Sequence, residues 1–192
     1  MKGGSIENFT VESFGKFSGT GTITGPLTVK INGVYGPGYS PGCINSGNLT
    51  IAGTYEVELA NLTPCTKYDQ TKVTGTVNLT GGTLSVIRFD NMVPSLNDSF
   101  IIIDNDGSDA VTGTFTGMAQ GATFVADGIT YSISYTGGDG NDVVLVVTAV
   151  ASSLGAPNTG AHIIKSGVIL PLLAIASALS IIGINFVATK KK

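Results

Sequence analysis

The feature that most restricts the fold of this chain is a long apolar segment without a charged side chain. It runs from Val168 to Ala188, and the lysine cluster 190–192 follows it. As a helix that rises ~1.5 Å per residue, it would match the ~30 Å hydrocarbon layer of a bilayer. Clustered lysines stay on the cytoplasmic side of a membrane. We therefore expect a transmembrane helix at 166–189 and a basic cytoplasmic tail at 190–192; the alternative is a helix buried in a soluble core.

The charged residues divide the chain at Ala156. All 13 acidic residues lie before it, whereas four lysines and no acid follow it. An acidic body joined to a basic tail is typical of a protein held at a membrane. We therefore expect the body to lie outside the cell and the tail to have the lipid bilayer as its partner. A negative body repels phosphate backbones, so we expect no nucleic acid among the partners.

A short motif lies between the body and the apolar segment. It consists of Ala156, Pro157, Asn158, Thr159 and Gly160. With the apolar span and the lysines behind it, the motif resembles the C-terminal cell-wall sorting signal of bacterial surface proteins, whose pattern is Leu-Pro-any-Thr-Gly. The resemblance implies a sortase-type transpeptidase that cuts between Thr159 and Gly160 and joins the Thr159 carbonyl to an amine of the peptidoglycan. Because Ala156 stands where the family has Leu, retention by the membrane span without cleavage remains the alternative.

The body shows the two-residue alternation of β-strands and no helical periodicity. Ile129, Tyr131, Ile133 and Tyr135, for example, alternate with Ser and Thr. Alternation of this kind is typical of half-buried strands, and glycine-containing pairs separate the segments as turns do. The body is therefore predicted to be all-β. Further strands are predicted at Leu27–Ile31, Tyr55–Leu59, Val73–Leu79, Thr83–Phe89, Phe100–Ile103, Val111–Phe115, Ala122–Val125 and Val143–Thr148.

Weak internal repetition suggests how these strands are arranged. Thr-Gly-Thr occurs at 20–22, 74–76 and 112–114, and strand–turn units of about 20–25 residues recur before residue 90. This pattern predicts β-solenoid rungs at 18–90. The longer alternation at 91–148 predicts an antiparallel, β-sandwich-like cap, which would cover the open edge of the last rung. Residues 149–165 are predicted to be a linker.

Four segments of the body also resemble a known class of protein. They are Ser40–Gly42, Tyr68–Gly75, Ile103–Gly107 and Ile133–Leu145. They resemble the C-terminal region of bacterial autotransporter-like β-helix surface proteins, in which a large repetitive region often comes first. A single apolar helix at the end favours wall anchoring over autotransport. Because Met1–Asn8 has no export signal, we expect residues 1–17 to continue from a longer protein.

The segment Gly137–Leu145 fits one copy of the calcium-binding nonapeptide G-G-x-G-x-D-x-U-x, with Asp139 and Asp142 as its acids. In calcium rolls, successive copies stack and share the ion. One copy supplies too few of the six to eight oxygens that Ca²⁺ takes. We therefore interpret the segment as a glycine-rich hairpin turn and keep calcium binding as the alternative.

A second acidic loop contains Asp104, Asp106 and Asp109. Its spacing resembles the start of a calcium loop, but the distal bidentate Glu is missing. We interpret it as a solvated acidic turn, again with calcium as the alternative. No other cofactor and no other metal site are expected.

The two cysteines, Cys43 and Cys65, are separated by about one predicted rung. An even number of cysteines in an exported chain favours a disulfide bond. Neighbouring rungs would bring the two close enough, and the closed loop would add about 3 kcal/mol of stability. Two free buried thiols and a metal-binding pair remain the alternatives.

The sequence does not suggest an enzyme. The single histidine, His162, lies outside the body, and no nucleophile stands beside a base. Glu56 and Glu58 point the same way on one predicted strand, whereas a glycosidase needs two carboxylates across a cleft. We therefore expect a structural or adhesive cell-surface protein with an unidentified surface ligand. The alternatives are a membrane-anchored binding module and a polysaccharide-active β-helix enzyme.

Overall fold

The computed structural model of the chain describes residues 2–150. This part is all-β, as predicted, and contains no helix. Within it, therefore, no helix is long and apolar enough to cross a membrane. The predicted transmembrane helix, the lysine tail and the sorting motif at 156–160 lie outside the described residues.

Residues 2–150 form fifteen strands. These are β1 (Lys2–Ile6), β2 (Phe9–Val11), β3 (Lys16–Ile23), β4 (Leu27–Val29), β5 (Val34–Pro37), β6 (Cys43–Ser46), β7 (Leu49–Ile51), β8 (Thr54–Leu59), β9 (Gln70–Val73), β10 (Val77–Asn78), β11 (Thr83–Arg88), β12 (Ser99–Asn105), β13 (Thr123–Ala126), β14 (Ile129–Gly137) and β15 (Asp142–Val150).

The strands up to β12 pair in parallel and form three rows. One row is β2, β4, β7 and β10, in which Leu27 pairs with Phe9 on one side and Leu49 on the other. The second row is the first half of β3 followed by β5, β8 and β11. The third row is β1, the second half of β3, β6, β9 and β12. Each pass of the chain thus adds one strand to every row.

Strand β3 belongs to two rows because it bends in the middle. Its first half pairs with β5, where Phe17 is opposite Tyr35, and its second half pairs with β6, where Ile23 is opposite Ser46. At the bend, Gly19 has a φ of 150° and Gly21 a φ of 141°. L-residues with a side chain rarely adopt such angles, so glycine allows one strand to serve both rows.

Pairing changes from parallel to antiparallel at β12. Ile103 pairs in parallel with Thr71 of β9 and antiparallel with Val143 of β15. Strands β15, β14 and β13 then continue as antiparallel neighbours. We call strands β12–β15 the antiparallel segment.

Two of the predicted strands differ from those in the structure. Val73–Leu79 is divided between β9 and β10, because the chain changes row at the intervening bend. Val111–Phe115 is not a strand, although Thr112 forms an isolated parallel bridge with Asn78. Gly113, with a φ of 73°, turns the chain immediately after this bridge and ends the pairing.

A column of stacked rings runs through the core. Phe17, Tyr35 and Tyr55 occupy matching positions on β3, β5 and β8, with ring centroids 5.8 Å and 5.6 Å apart. Tyr55 stacks on Phe115 at 6.1 Å, and Phe115 contacts Tyr135 of β14 at 6.4 Å. We call these five rings the aromatic column. It connects the parallel rows with the antiparallel segment through apolar contact rather than through the backbone alone.

A chain of hydroxyl groups lies beside the column. Thr71 Oγ1 is 2.9 Å from the hydroxyl of Tyr35 and 2.9 Å from that of Tyr55, and Tyr55 donates to the Ile102 carbonyl at 2.7 Å. Each hydroxyl has one proton, so this last bond fixes the direction of the others. Tyr35 donates to Thr71, and Thr71 donates to Tyr55. Burial raises the pKa of both tyrosines, which keeps them protonated as donors.

The substitution Thr71→Val is expected to lower the free energy of unfolding by roughly 1–3 kcal/mol. It keeps the shape of the side chain but leaves the Tyr35 proton without an acceptor and Tyr55 without a donor. Urea unfolding measures the change. Thr123→Val, at an exposed position of β13, is the matched control and should have little effect. Equal losses for the two variants would mean that the buried hydroxyl chain does not contribute to stability, which contradicts this account.

Candidate functional site

The structure joins Cys43 and Cys65 by a disulfide bond with a Cα–Cα distance of 4.7 Å. Cys43 begins β6, and Cys65 lies in the loop between β8 and β9. This loop is also held by the Lys67 amide, which donates to the Thr63 carbonyl. The disulfide therefore fixes the connection between two passes of the chain, just before the buried residue Asp69.

Asp69 lies almost completely buried between the two passes, with 3% of its surface exposed. One carboxylate oxygen accepts a hydrogen bond from the Gly42 amide at 2.7 Å, and the other accepts from the Glu58 amide at 2.9 Å. Burial raises the pKa of Asp69 to about 7, although these two hydrogen bonds oppose the shift. The nearby charges of Glu58 and Glu56 raise it further.

Asp69 lines a polar cleft of about 120 Å³. Lys16, Tyr39, Glu56 and Glu58 also line the cleft. Lys16 Nζ and Glu56 Oε1 are 2.8 Å apart and form an ion pair, while the Tyr39 ring is 60% exposed at the rim. Glu56 and Glu58 lie on the same side of β8, as predicted from the alternation. The cleft thus has an acidic wall, one lysine and one exposed ring.

The arrangement of the cleft favours a structural role for Asp69. A general acid must present its proton to a substrate, but only 3% of the Asp69 surface is exposed, and hydrogen bonds from two backbone amides hold its carboxyl group between the two passes. Glu56 is held by Lys16. Sequence analysis did not single out Asp69, because its burial depends on the disulfide-linked loop and on a turn that is distant in the chain.

The structure brings the two predicted acidic loops together. Asp142, at the start of β15, accepts a hydrogen bond from the backbone N–H of Asn105 at 2.8 Å. The side-chain amide of Asn141 donates to the carbonyls of Asp106 at 3.2 Å and Asp109 at 3.1 Å. The loop at 104–109 and the hairpin at 137–142 therefore form one unit. The sequence contains both loops but does not indicate that they meet.

The carboxylates at this junction are electrostatically coupled. Burial raises the pKa of Asp142, and the charges of Asp104 and Asp139 raise it further. Within residues 2–150, however, no group of three or more His, Cys, Asp or Glu side chains is close enough to hold a metal ion. Any cation bound there would need amide and carbonyl oxygens in addition to the carboxylates.

Comparison with known proteins does not place the chain in a family. No protein-family model matches it, and no curated protein matches it either.

The pH dependence of stability tests the environment of Asp69. The pKa of Asp69 in the folded protein, about 7, exceeds the ordinary value of 3.8. The folded state therefore binds the proton more tightly than the unfolded state does, and the stability that this proton adds is present at pH 4 and is lost as the pH rises through 7. The free energy of unfolding of the wild type, minus that of Asp69→Asn, should fall over this range at up to about 1.4 kcal/mol per pH unit. Denaturant unfolding at several pH values measures the difference.

Thr123→Val, at an exposed position of β13 that carries no titratable group, is the control for this experiment. Its difference from the wild type should stay nearly constant between pH 4 and pH 7. A constant difference for Asp69→Asn as well would mean that Asp69 is ionised throughout the range, which contradicts the raised pKa.

Proposed function

We propose that this chain is a structural or adhesive part of a bacterial cell-surface projection, attached to the cell wall through its C-terminal sorting signal. The observation that carries the proposal is the disulfide between Cys43 and Cys65. Structural disulfides persist in oxidising surroundings outside the cytoplasm. That location agrees with the sequence of the tail, in which an apolar span and three lysines follow the sorting motif.

We further propose that successive passes of the chain are the rungs of a short β-solenoid and that the three parallel rows are its faces. Support comes from the register, because Leu27 pairs with both Phe9 and Leu49, and Tyr35 pairs with both Phe17 and Tyr55. In a solenoid, each repeat contacts mainly its neighbours, and the stack forms an extended body. Such a body suits a projection that holds a ligand-binding surface away from the cell.

In the proposed attachment, the peptide bond between Thr159 and Gly160 breaks. The Thr159 carbonyl forms a new amide with a peptidoglycan amine, and the Gly160 nitrogen leaves as the amine of the released tail. Pro157 restricts the backbone before the cleavage point to an extended bend that an enzyme cleft can grip. The apolar span and Lys190–Lys192 would hold the chain at the membrane during the reaction.

The cleft beside Asp69 does not favour the polysaccharide-active alternative. Glycoside hydrolysis needs one carboxyl group that donates a proton and a second that acts on the sugar or on water. Asp69 has a raised pKa, but only 3% of its surface is exposed, and Lys16 holds Glu56 in an ion pair. The membrane-anchored binding module remains the competing proposal, since it requires only that the motif is not cleaved.

Mass spectrometry of cell walls from cells that make the protein tests the attachment. After wall digestion, we expect a C-terminal peptide that ends at Thr159 and is linked to a peptidoglycan fragment. The variant Thr159→Ala should move most of the protein from the wall fraction to the membrane fraction, because the cleavage residue is lost. Ser152→Ala, in the same linker, is the control and should leave the wall fraction unchanged.

The opposite result would support the membrane-anchored module. In that case the intact chain, including Gly160–Lys192, would be found only in detergent extracts of membranes. Thr159→Ala would then not change the distribution of the protein between the two fractions.

A further inference from the structure

Two buried amide oxygens lie unpaired where the acidic loops meet. Asn105 is completely buried and Asn141 is 4% exposed. The Oδ1 atoms of both side chains lack a hydrogen-bond partner. A buried polar atom without a partner is destabilising, so two such atoms in contacting loops point to a missing cation or hydrogen-bond donor.

The orientation of both amides is fixed by their other atoms. The Nδ2 group of Asn105 donates to the Asp109 carbonyl at 2.8 Å, and that of Asn141 donates to the same carbonyl at 3.1 Å. Exchanging oxygen and nitrogen in either side chain would place a second acceptor against this carbonyl. The two side-chain nitrogens therefore meet at one carbonyl, and both unpaired oxygens belong to the contact between the 104–109 loop and the 137–142 hairpin, which we call the enclosure.

The charges around this enclosure are negative. Asp142 accepts a hydrogen bond from the backbone N–H of Asn105. Asp139 lines a cavity of about 250 Å³ together with Asn141 and Ser108. The ion pairs of residues 2–150 are Lys16 with Glu56 and Lys30 with Glu12, and neither reaches the enclosure. Lys72 lies opposite Asp104 in the register of β9 and β12 but forms no ion pair with it.

We propose that this enclosure binds a divalent cation of the Ca²⁺ class, with the Oδ1 atoms of Asn105 and Asn141 and the carboxylates of Asp139 and Asp142 among its ligands. Amide and carboxylate oxygens are the ligands that hard cations prefer, and Ca²⁺ accepts a mixture of them with water in a flexible geometry. The ion would supply the partner that the two buried oxygens lack and would offset the repulsion between the carboxylates. It would also tie the end of β12 to the hairpin before β15. The proposal does not depend on how the protein is anchored.

Calcium binding can be measured on the purified full chain after treatment with a chelator. Isothermal titration with CaCl₂ should give saturable heat with a dissociation constant of about 10⁻⁴–10⁻³ M, the range of extracellular calcium modules. At about 10 mM Ca²⁺, such a site should raise the folding equilibrium constant roughly ten- to hundredfold. Mg²⁺ should bind more weakly, because it demands a stricter octahedral geometry.

Two matched variants make this test specific. Asp139→Asn, at an exposed position that should not disturb folding, should weaken Ca²⁺ binding at least tenfold. Glu7→Gln removes an exposed carboxylate far from the enclosure in sequence and should leave binding unchanged. No heat and no stabilisation by 10 mM Ca²⁺ would overturn the proposal, as would equal binding by Asp139→Asn and the wild type. Either result would mean that water, rather than a cation, is the partner of the two amide oxygens.

Discussion

The register between successive passes of the chain is the constraint on which the rest of the structure depends. Phe17, Tyr35 and Tyr55 are opposite one another on neighbouring parallel strands, so their rings stack at 5.8 Å and 5.6 Å inside the body. A shift of one residue would move each ring from the core to the solvent face. Because each ring buries a large apolar surface, this cost fixes the register of β3, β5 and β8.

The polar features of the body follow from the same stacking. Once Tyr35 and Tyr55 are aligned, their hydroxyl groups meet Thr71 of the next row and are satisfied there. The chain must leave the stack between β8 and β9, and the disulfide and Asp69 fix that longer loop. The last parallel strand, β12, pairs with β9 on one side and antiparallel with β15 on the other. The two acidic loops meet at the end of β12.

Sequence reasoning predicted the all-β body because alternation reports which side chains face inward. Ile129–Tyr135 is an example, since its alternate residues are buried in β14. The same reasoning was wrong for Val111–Phe115, where a glycine turn ends the pairing that alternation suggested. Asp69 and the pair Asn105 and Asn141 were not found, because their burial results from contacts between distant segments. Local pattern carries no information about such contacts, and the sorting motif lies outside the described residues.

Native-state hydrogen exchange resolved by residue tests most directly whether the aromatic column couples the parallel rows to the antiparallel segment. Tyr55 contacts Tyr35 on one side and Phe115 on the other, and Phe115 contacts Tyr135 of β14. In the variant Tyr55→Leu, the account predicts that amides of both β5 and β14 lose protection by similar free energies. Loss of protection in β5 and β8 alone, with β14 unchanged, would contradict it.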